Sequence, residues 1–537
     1  LQSAARTICT PLAYKSHTCS LIGIFCQVHA PTENDQNPFA ACGRQTLRGF
    51  FYTLSRREEI RGGFLLGQHR AIRQEVSDRI FAPIQSLENE GILYVFLVFQ
   101  TEEVGQKDGG DSQTQLCGAA LDSNFSFLAP GRLLFGGGRD MIHLLQYYKN
   151  FNQKGRVSMF YKNARIFCSD FRFHTGAFEV TDGRFGTVLP DTVPADAVDL
   201  GGATVIPGLV EVHSHGNSDC DFSDGDYAGL RKMAAFYATC GITSFAPASM
   251  TLPYETLAKA FANAARFQKE APAGHSVLRG IHMEGPYFSY KKRGAQNPAY
   301  LKDPDFPGFR KLWEDCGGLV KIVDVAPELP GAVEFTREAS KLATVSVAHT
   351  DSDYDHARAV FDAGATHLTH TFNAMPGIHH RNPGVIPAAS ENKRVRAELI
   401  CDGIHVHPAA VRLIFDLFGP ERMVLISDSG RCAGLPEGSH VIQGGMDCWV
   451  KGGVARLADD TIASSATNLW VCLQNVLRWG IPEETAIRAA SYNPACAIGA
   501  DKEVGSIAPG KVADFVVCSG DYTQKRVFLA GEELHIG

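Results

Sequence analysis

The residues able to do chemistry are histidines and carboxylates at the ends of apolar runs. His213 and His215 close Leu-Val-Glu-Val-His-Ser-His at 209–215. Two apart on an extended strand, their imidazoles point to one side and can reach one cation. Glu284 ends the run 277–284, and His349, His370 and Asp428 end the runs 343–349, 366–370 and 423–428. Glu328 and Asp402 hold the same place on 320–328 and 396–402. Neutral imidazole nitrogen with carboxylate oxygen suits Zn²⁺ or Fe²⁺ better than Mg²⁺. Such a cation lowers the pKa of a bound water toward about 7. An adjacent carboxylate can take that water's proton and return it to a leaving nitrogen. Asp428 is the expected base. His405, in Cys-Asp-Gly-Ile-His-Val-His at 401–407, is a candidate to polarise a carbonyl or hold a hydroxyl. His367 and His407 receive no role.

These residues need elements that bring them together. From 209 to about 430, eight short apolar runs alternate with amphipathic stretches such as 254–270 and 354–365. That alternation predicts an α/β chain folded as a TIM-type (β/α)8 barrel, whose strands all end on one face, where active sites lie. Before it, residues 159–206 alternate apolar and polar residues between turn signals, which predicts short antiparallel strands.

The chain has 537 residues, 45% hydrophobic and 20% charged, with a formal net charge of −7. That balance gives no electrostatic case for nucleic acid or an anionic membrane, so an anionic substrate needs locally placed positive groups. The 15 cysteines form no CxxC pairs, which favours free thiols and a reducing, cytoplasmic setting. The longest apolar stretch, 91–99, is too short to span a bilayer. Residues 1–158 carry no nucleotide loop, metal cluster or repeat. Lys154-Gly155-Arg156 precede Met159, and a purine-rich run of the kind found before bacterial start codons can encode them. The expectation is that 1–158 is translated upstream sequence and that the natural chain starts at Met159. The alternative is a divergent N-terminal domain.

From 159 to 537 the chain resembles the N-acetylglucosamine-6-phosphate deacetylases of the amidohydrolase superfamily. The resemblance rests on PGLVEVHSHG (207–216), HMEGPY (282–287), APE (326–328), VAHTDS (347–352), THTFNAMP (369–376), CDGIHVHP (401–408), LISDS (425–429), SYNPACAIG (491–499) and GSIAPGKVADFVV (505–517). It implies a barrel over 207–500 and a small β-sandwich from 159–206 and part of 431–537. It implies Glu284, His349 and His370 as core metal ligands, with His213 and His215 giving capacity for a second cation. Asp428 becomes general base and then acid, and His405 stabilises the carbonyl oxygen. Asn373, Ala374 and Arg381 would meet the sugar phosphate. In some members this arginine comes from the neighbouring subunit, which implies a homodimer. Asp402 and Gly403 would line the sugar pocket.

Two departures stand out. The family often has Gly-x-His where this chain has Gly294-Ala295-Gln296, so Gln296 can hydrogen-bond substrate without charge. The family's late Gly-Ser loop is Ile462-Ala463-Ser464-Ser465 here. Both bear on glucosamine against galactosamine configuration. The implied reaction is hydrolysis of N-acetylglucosamine 6-phosphate to glucosamine 6-phosphate and acetate. The alternatives are a related amino-sugar phosphate such as N-acetylgalactosamine 6-phosphate, another amidohydrolase activity, and a non-catalytic sugar-phosphate sensor.

Overall fold

The computed structural model describes residues 158–535 in full. Upstream it describes only the backbone of three antiparallel strands, Tyr14–Ser16, Cys19–His29 and Ile92–Glu102. These belong to a separate unit, Leu1–Gly137. The expectation that 1–158 is translated upstream sequence falls almost wholly outside the described residues.

The second unit is built around eight short parallel strands. They are β1 (Leu209–Glu211), β2 (Ile242–Phe245), β3 (Val277–Leu278, resuming at Ile281–Met283), β4 (Val320–Val325), β5 (Thr344–Val347), β6 (His367–Leu368), β7 (Arg396–Ile400) and β8 (Met423–Ile426). Neighbours pair in parallel from β1 to β8, with the break in β3 dividing them into two hydrogen-bonded sheets. Beyond the strand ends, Asp428 N donates to His213 O at 2.9 Å and His215 N to Ser429 O at 2.7 Å, which closes the ring. A helix follows each strand, as the apolar periodicity predicts. Tyr254–Glu270 matches its predicted span, and Tyr354–Ala363 stops at Gly364. Asp226 and Asp353 cap their helices by accepting backbone N–H groups.

Period two sorts the strand residues. Met423 and Leu425 face the helices, while Val424 and Ile426 pack inside the barrel with Ile322 and Ile400. Buried polar groups share that inner side, among them Asp324 and Glu398.

Both ends of this unit meet in one mixed eight-stranded sheet, with Ser158–Phe167, Phe173–Thr181 and Thr204–Pro207 from the front and Phe515–Cys518 and Lys525–Leu529 from the back. Its core is aromatic. Phe515 stacks on Phe528 at 4.3 Å, and Tyr161 on Phe178 at 5.0 Å. Arg165 fastens the sheet to the helix Glu483–Ala490 by two bonds to Glu483, 2.7 and 2.6 Å. Residues 440–465, part of the predicted β-sandwich segment, instead form a separate four-stranded antiparallel sheet. Among the described residues the cysteines are free, and no helix is long and apolar enough to cross a membrane.

Candidate metal centre and active site

The strand-end residues converge. His213 and His215 follow β1, Glu284 follows β3, His349 follows β5, His370 follows β6 and Asp428 follows β8. Ligand-capable atoms of Glu284, His349 and His370 all lie within 4.8 Å of one another, as do those of His213, His215 and Asp428. Glu284 stands between the two sets. Its Oε1 is 3.1 Å from His349 Nε2, 3.3 Å from His370 Nε2 and 3.5 Å from His213 Nε2, while Oε2 is 3.3 Å from His215 Nε2. Asp428 Oδ1 lies 3.4 Å from His215 Nε2 and 3.7 Å from His213 Nε2.

The backbone at these strand ends is unusual. His349, His370 and Asp428 have φ of 42°, 28° and 46°, the left-handed region that non-glycine residues seldom adopt. Such strain gathers where surrounding structure enforces it, typically at functional sites. Two glycines make the close packing possible. A Cβ on Gly285 would collide with Thr251 Oγ1, and one on Gly430 with Gln443 Oε1 and Ser464 Oγ.

Hydrogen bonds behind the histidines orient them. His213 Nδ1 faces Glu398 Oε2 at 2.8 Å, His215 Nδ1 faces Ala248 O at 3.2 Å and His349 Nδ1 faces Lys292 O at 3.0 Å. In the neutral ring each bond keeps the proton on Nδ1 and leaves the lone pair on Nε2, toward the cluster. His213 Nε2 is buried without a hydrogen-bond partner, and His349 Nε2 and His370 Nε2 approach each other to 3.1 Å. Convergent imidazole lone pairs around shared carboxylate oxygen suit a divalent cation of the zinc or iron type.

The charges reinforce one another. Burial opposes ionisation of Glu284, yet the surrounding histidines, His215 foremost, hold it well below the usual carboxylate range. Asp428 is likewise opposed by burial but drawn down to about 2 by His213, His215 and His370. Burial lowers the His215 imidazole, but Glu284 and Asp428 outweigh it and lift it to about 10.

The residues expected to meet substrate lie around this cluster with less uniform surroundings. Ala295 is half-buried beside Gln296, whose amide is held at both ends by protein: Nε2 donates to Glu284 Oε2 at 2.6 Å and Oε1 accepts Thr251 N at 2.8 Å. Asn373 donates to His370 O at 3.2 Å, and Ala374 adopts φ 50°. Arg381 sits on an exposed loop, bonded to His380 Nε2 at 2.8 Å. Asp402 binds its own loop: Oδ2 faces His405 Nδ1 at 2.6 Å, and Oδ1 accepts Ile404 N and His405 N. That fixes the His405 ring. Gly403 is exposed, Ile462 and Ala463 are half-buried, and Ser464 is buried with its hydroxyl on Gln443 Oε1 at 3.3 Å. Glu328 stands apart from the cluster's ligand sets and holds the turn after β5 by accepting Thr350 Oγ1 and Asp351 N.

Sequence reasoning missed the support beneath the cluster. Glu211 accepts His213 N and Ser427 N, each at 3.1 Å, bridging the first and last strands; burial pushes its carboxyl up to about 7. Asp324 holds His282 Nε2 at 3.0 Å, and Glu398 holds His367 Nε2 at 2.9 Å. The available signal was a lone acidic residue inside an apolar strand.

Residues 204–534 match the amidohydrolase family. The chain is similar to the N-acetylglucosamine-6-phosphate deacetylase of Bacillus subtilis (strain 168), 33% identical over 378 residues, 68% of this chain and 94% of that one. It is also similar to the N-acetylgalactosamine-6-phosphate deacetylase of Escherichia coli O157:H7, 32% identical over 66% of this chain and 93% of that one. Among solved structures, a mutant N-acetyl-D-glucosamine-6-phosphate deacetylase from Mycobacterium smegmatis, in complex with N-acetyl-D-glucosamine-6-phosphate, superposes with TM-score 0.66 at 33% identity, covering 71% of this chain and 100% of that one.

Proposed function

Because the chain belongs to the amidohydrolase family, we propose that it hydrolyses N-acetylglucosamine 6-phosphate to glucosamine 6-phosphate and acetate. The observation that carries this is the Glu284-centred cluster with Asp428 beside it, in a chain whose relatives at about one-third identity carry that name. Glu284, His349 and His370 would hold one divalent cation, and His213 and His215 a second, with zinc or iron favoured by the donors. The cation, when bound, polarises the amide carbonyl and acidifies water. Asp428 takes a proton from the attacking water and returns it to the leaving nitrogen. His405, its Nδ1 tied to Asp402, presents Nε2 to the carbonyl oxygen. Asn373 and Ala374 receive the phosphate, and Arg381 adds a charge-assisted bond. Ala295, Gln296, Gly403, Ile462, Ala463 and Ser464 bound the sugar side.

Arg381 lies on an exposed loop, and in some members of the resembling family this arginine comes from the neighbouring subunit, so the working enzyme is read as a homodimer; its free cysteines favour the cytoplasm. The sheet joining the two ends of the catalytic unit is read as the small β-sandwich, and 207–500 as the hydrolase barrel. Acetate release from N-acetylglucosamine 6-phosphate, compared with the unphosphorylated sugar, tests the reading; equal rates on both would sink phosphate recognition. The similarity to an N-acetylgalactosamine-6-phosphate deacetylase favours one second reading, that epimer as substrate. The same assay ranks the two by kcat/KM.

A further inference from the structure

One wholly buried carboxylate touches both ligand sets from below. Glu398 lies on the inward side of β7. Its Oε2 meets His213 Nδ1 at 2.8 Å and accepts the His370 backbone N–H at 3.3 Å, while Oε1 meets His367 Nε2 at 2.9 Å. Its own carbonyl accepts Thr371 N at 2.9 Å. His213, His282 and Glu398 also form a compact trio, but the atoms that would bind a cation there are already engaged in these hydrogen bonds.

The consequence for His213 follows from proton placement. With the proton on Nδ1, the ring donates to Glu398 and turns an Nε2 lone pair toward Glu284 and Asp428. The other tautomer would set two acceptors against each other at 2.8 Å and point an N–H into the cluster. The bond to His370 N–H acts on the other set, because that residue's φ of 28° needs its surroundings to hold it. His367 completes the arrangement by occupying the remaining oxygen, so the carboxylate cannot turn away from His213.

We propose that Glu398 is a positioning residue for the metal centre, fixing the His213 tautomer and anchoring the His370 backbone so that both ligand sets are formed before a cation arrives. The proposal rests on the reading that His213 helps hold a second cation. It is tested by zinc content after dialysis, and by zinc affinity in competition with a chromophoric chelator, for the wild type, His213→Gln, Glu398→Gln and Glu398→Leu. Thermal unfolding of each apo-protein runs alongside. Glutamine is isosteric but uncharged and offers one acceptor oxygen in place of two. Glu398→Gln should therefore weaken zinc ~10–100-fold at the His213 subsite, the usual cost of losing an outer partner. Glu398→Leu, with no acceptor, should lose the same equivalent as His213→Gln. If the leucine variant fails to fold, the glutamine variant still decides. Wild-type zinc affinity in Glu398→Gln, with an equivalent lost in His213→Gln, would overturn the proposal alone. Equal zinc content in the wild type and His213→Gln would overturn the two-cation reading and this proposal with it.

Discussion

The barrel's catalytic face and the sheet joining the two ends of its unit treat buried carboxylates in opposite ways. On the face, Glu284, Glu398 and Asp428 are buried, yet neighbouring imidazoles keep them ionised against the pull of burial. At the sheet, Asp514 is equally enclosed. Burial pushes its carboxyl up to about 6, against a backbone N–H from Ala530 and the charge of Arg279. Left-handed backbone falls at three strand ends that carry the face's cluster, while the sheet core is a group of stacked and edge-on aromatic rings. Burial alone therefore does not mark a functional carboxylate. Burial opposed by several convergent histidines is what separates the face from the sheet.

If the face is the chemical region and the sheet the structural one, perturbations should separate cleanly. Stripping the cations with a chelator should abolish acetate release, and zinc or iron should restore it; full activity in metal-free protein would erase the distinction. Asp428→Asn should lower kcat by ~10²–10⁴, the span of general acid–base catalysis, and unchanged turnover would remove Asp428 from the mechanism. Phe178→Ala should act the other way, costing ~3–5 kcal/mol of stability by emptying the aromatic stack, while kcat of the folded fraction holds. Denaturant unfolding paired with the acetate assay reads both. Arg381→Ala should raise KM ~10–100-fold with kcat unchanged, reflecting loss of a charged hydrogen bond of ~1.5–3 kcal/mol. The same KM would show that Arg381 does not meet phosphate.

The smallest expected effect is at Asp514. Its folded pKa of about 6 lies above an unfolded value of about 3.9, so its contribution to stability is whole below about pH 4 and lost as pH rises through 6. Asp514→Asn should therefore stabilise the protein at pH 8 by on the order of 1 kcal/mol and make little difference near pH 4. Melting curves at the two pH values check this, and a uniform shift would contradict it.

Much of the face could be read before the fold was known. The strand-ending positions of His213, Glu284, His349, His370 and Asp428 placed them together, because a barrel gathers every strand end on one side. The same rule misled at Glu328, whose carboxylate holds a turn, and at Asp402, which holds His405. Polar strand ends also serve local backbone, and type and spacing do not separate the two uses. Gln296 is expected at the substrate, and its amide is also held at both ends by protein, a pairing set by tertiary approach. Glu211, Asp324 and Glu398 went unread because each looks like a flaw in an apolar run until the inner side of the barrel is known. The strands of 440–465 lie within a segment assigned in part to a sandwich, and pairing partners do not follow from alternation alone.

The sheet also sets a timetable. Thr204 pairs with Cys518, a residue 314 positions later in the chain. At ~5–20 residues per second, about 15–60 s of synthesis pass before that partner emerges. Through that interval the strand Thr204–Pro207, directly ahead of β1, waits on the ribosome with one edge open. His213 and His215 emerge early but reach their final setting only when Asp428 and the strands behind it arrive. The cluster is thus completed by Asp428, the last of its six residues to emerge, and a cation arriving earlier would meet a barrel not yet closed.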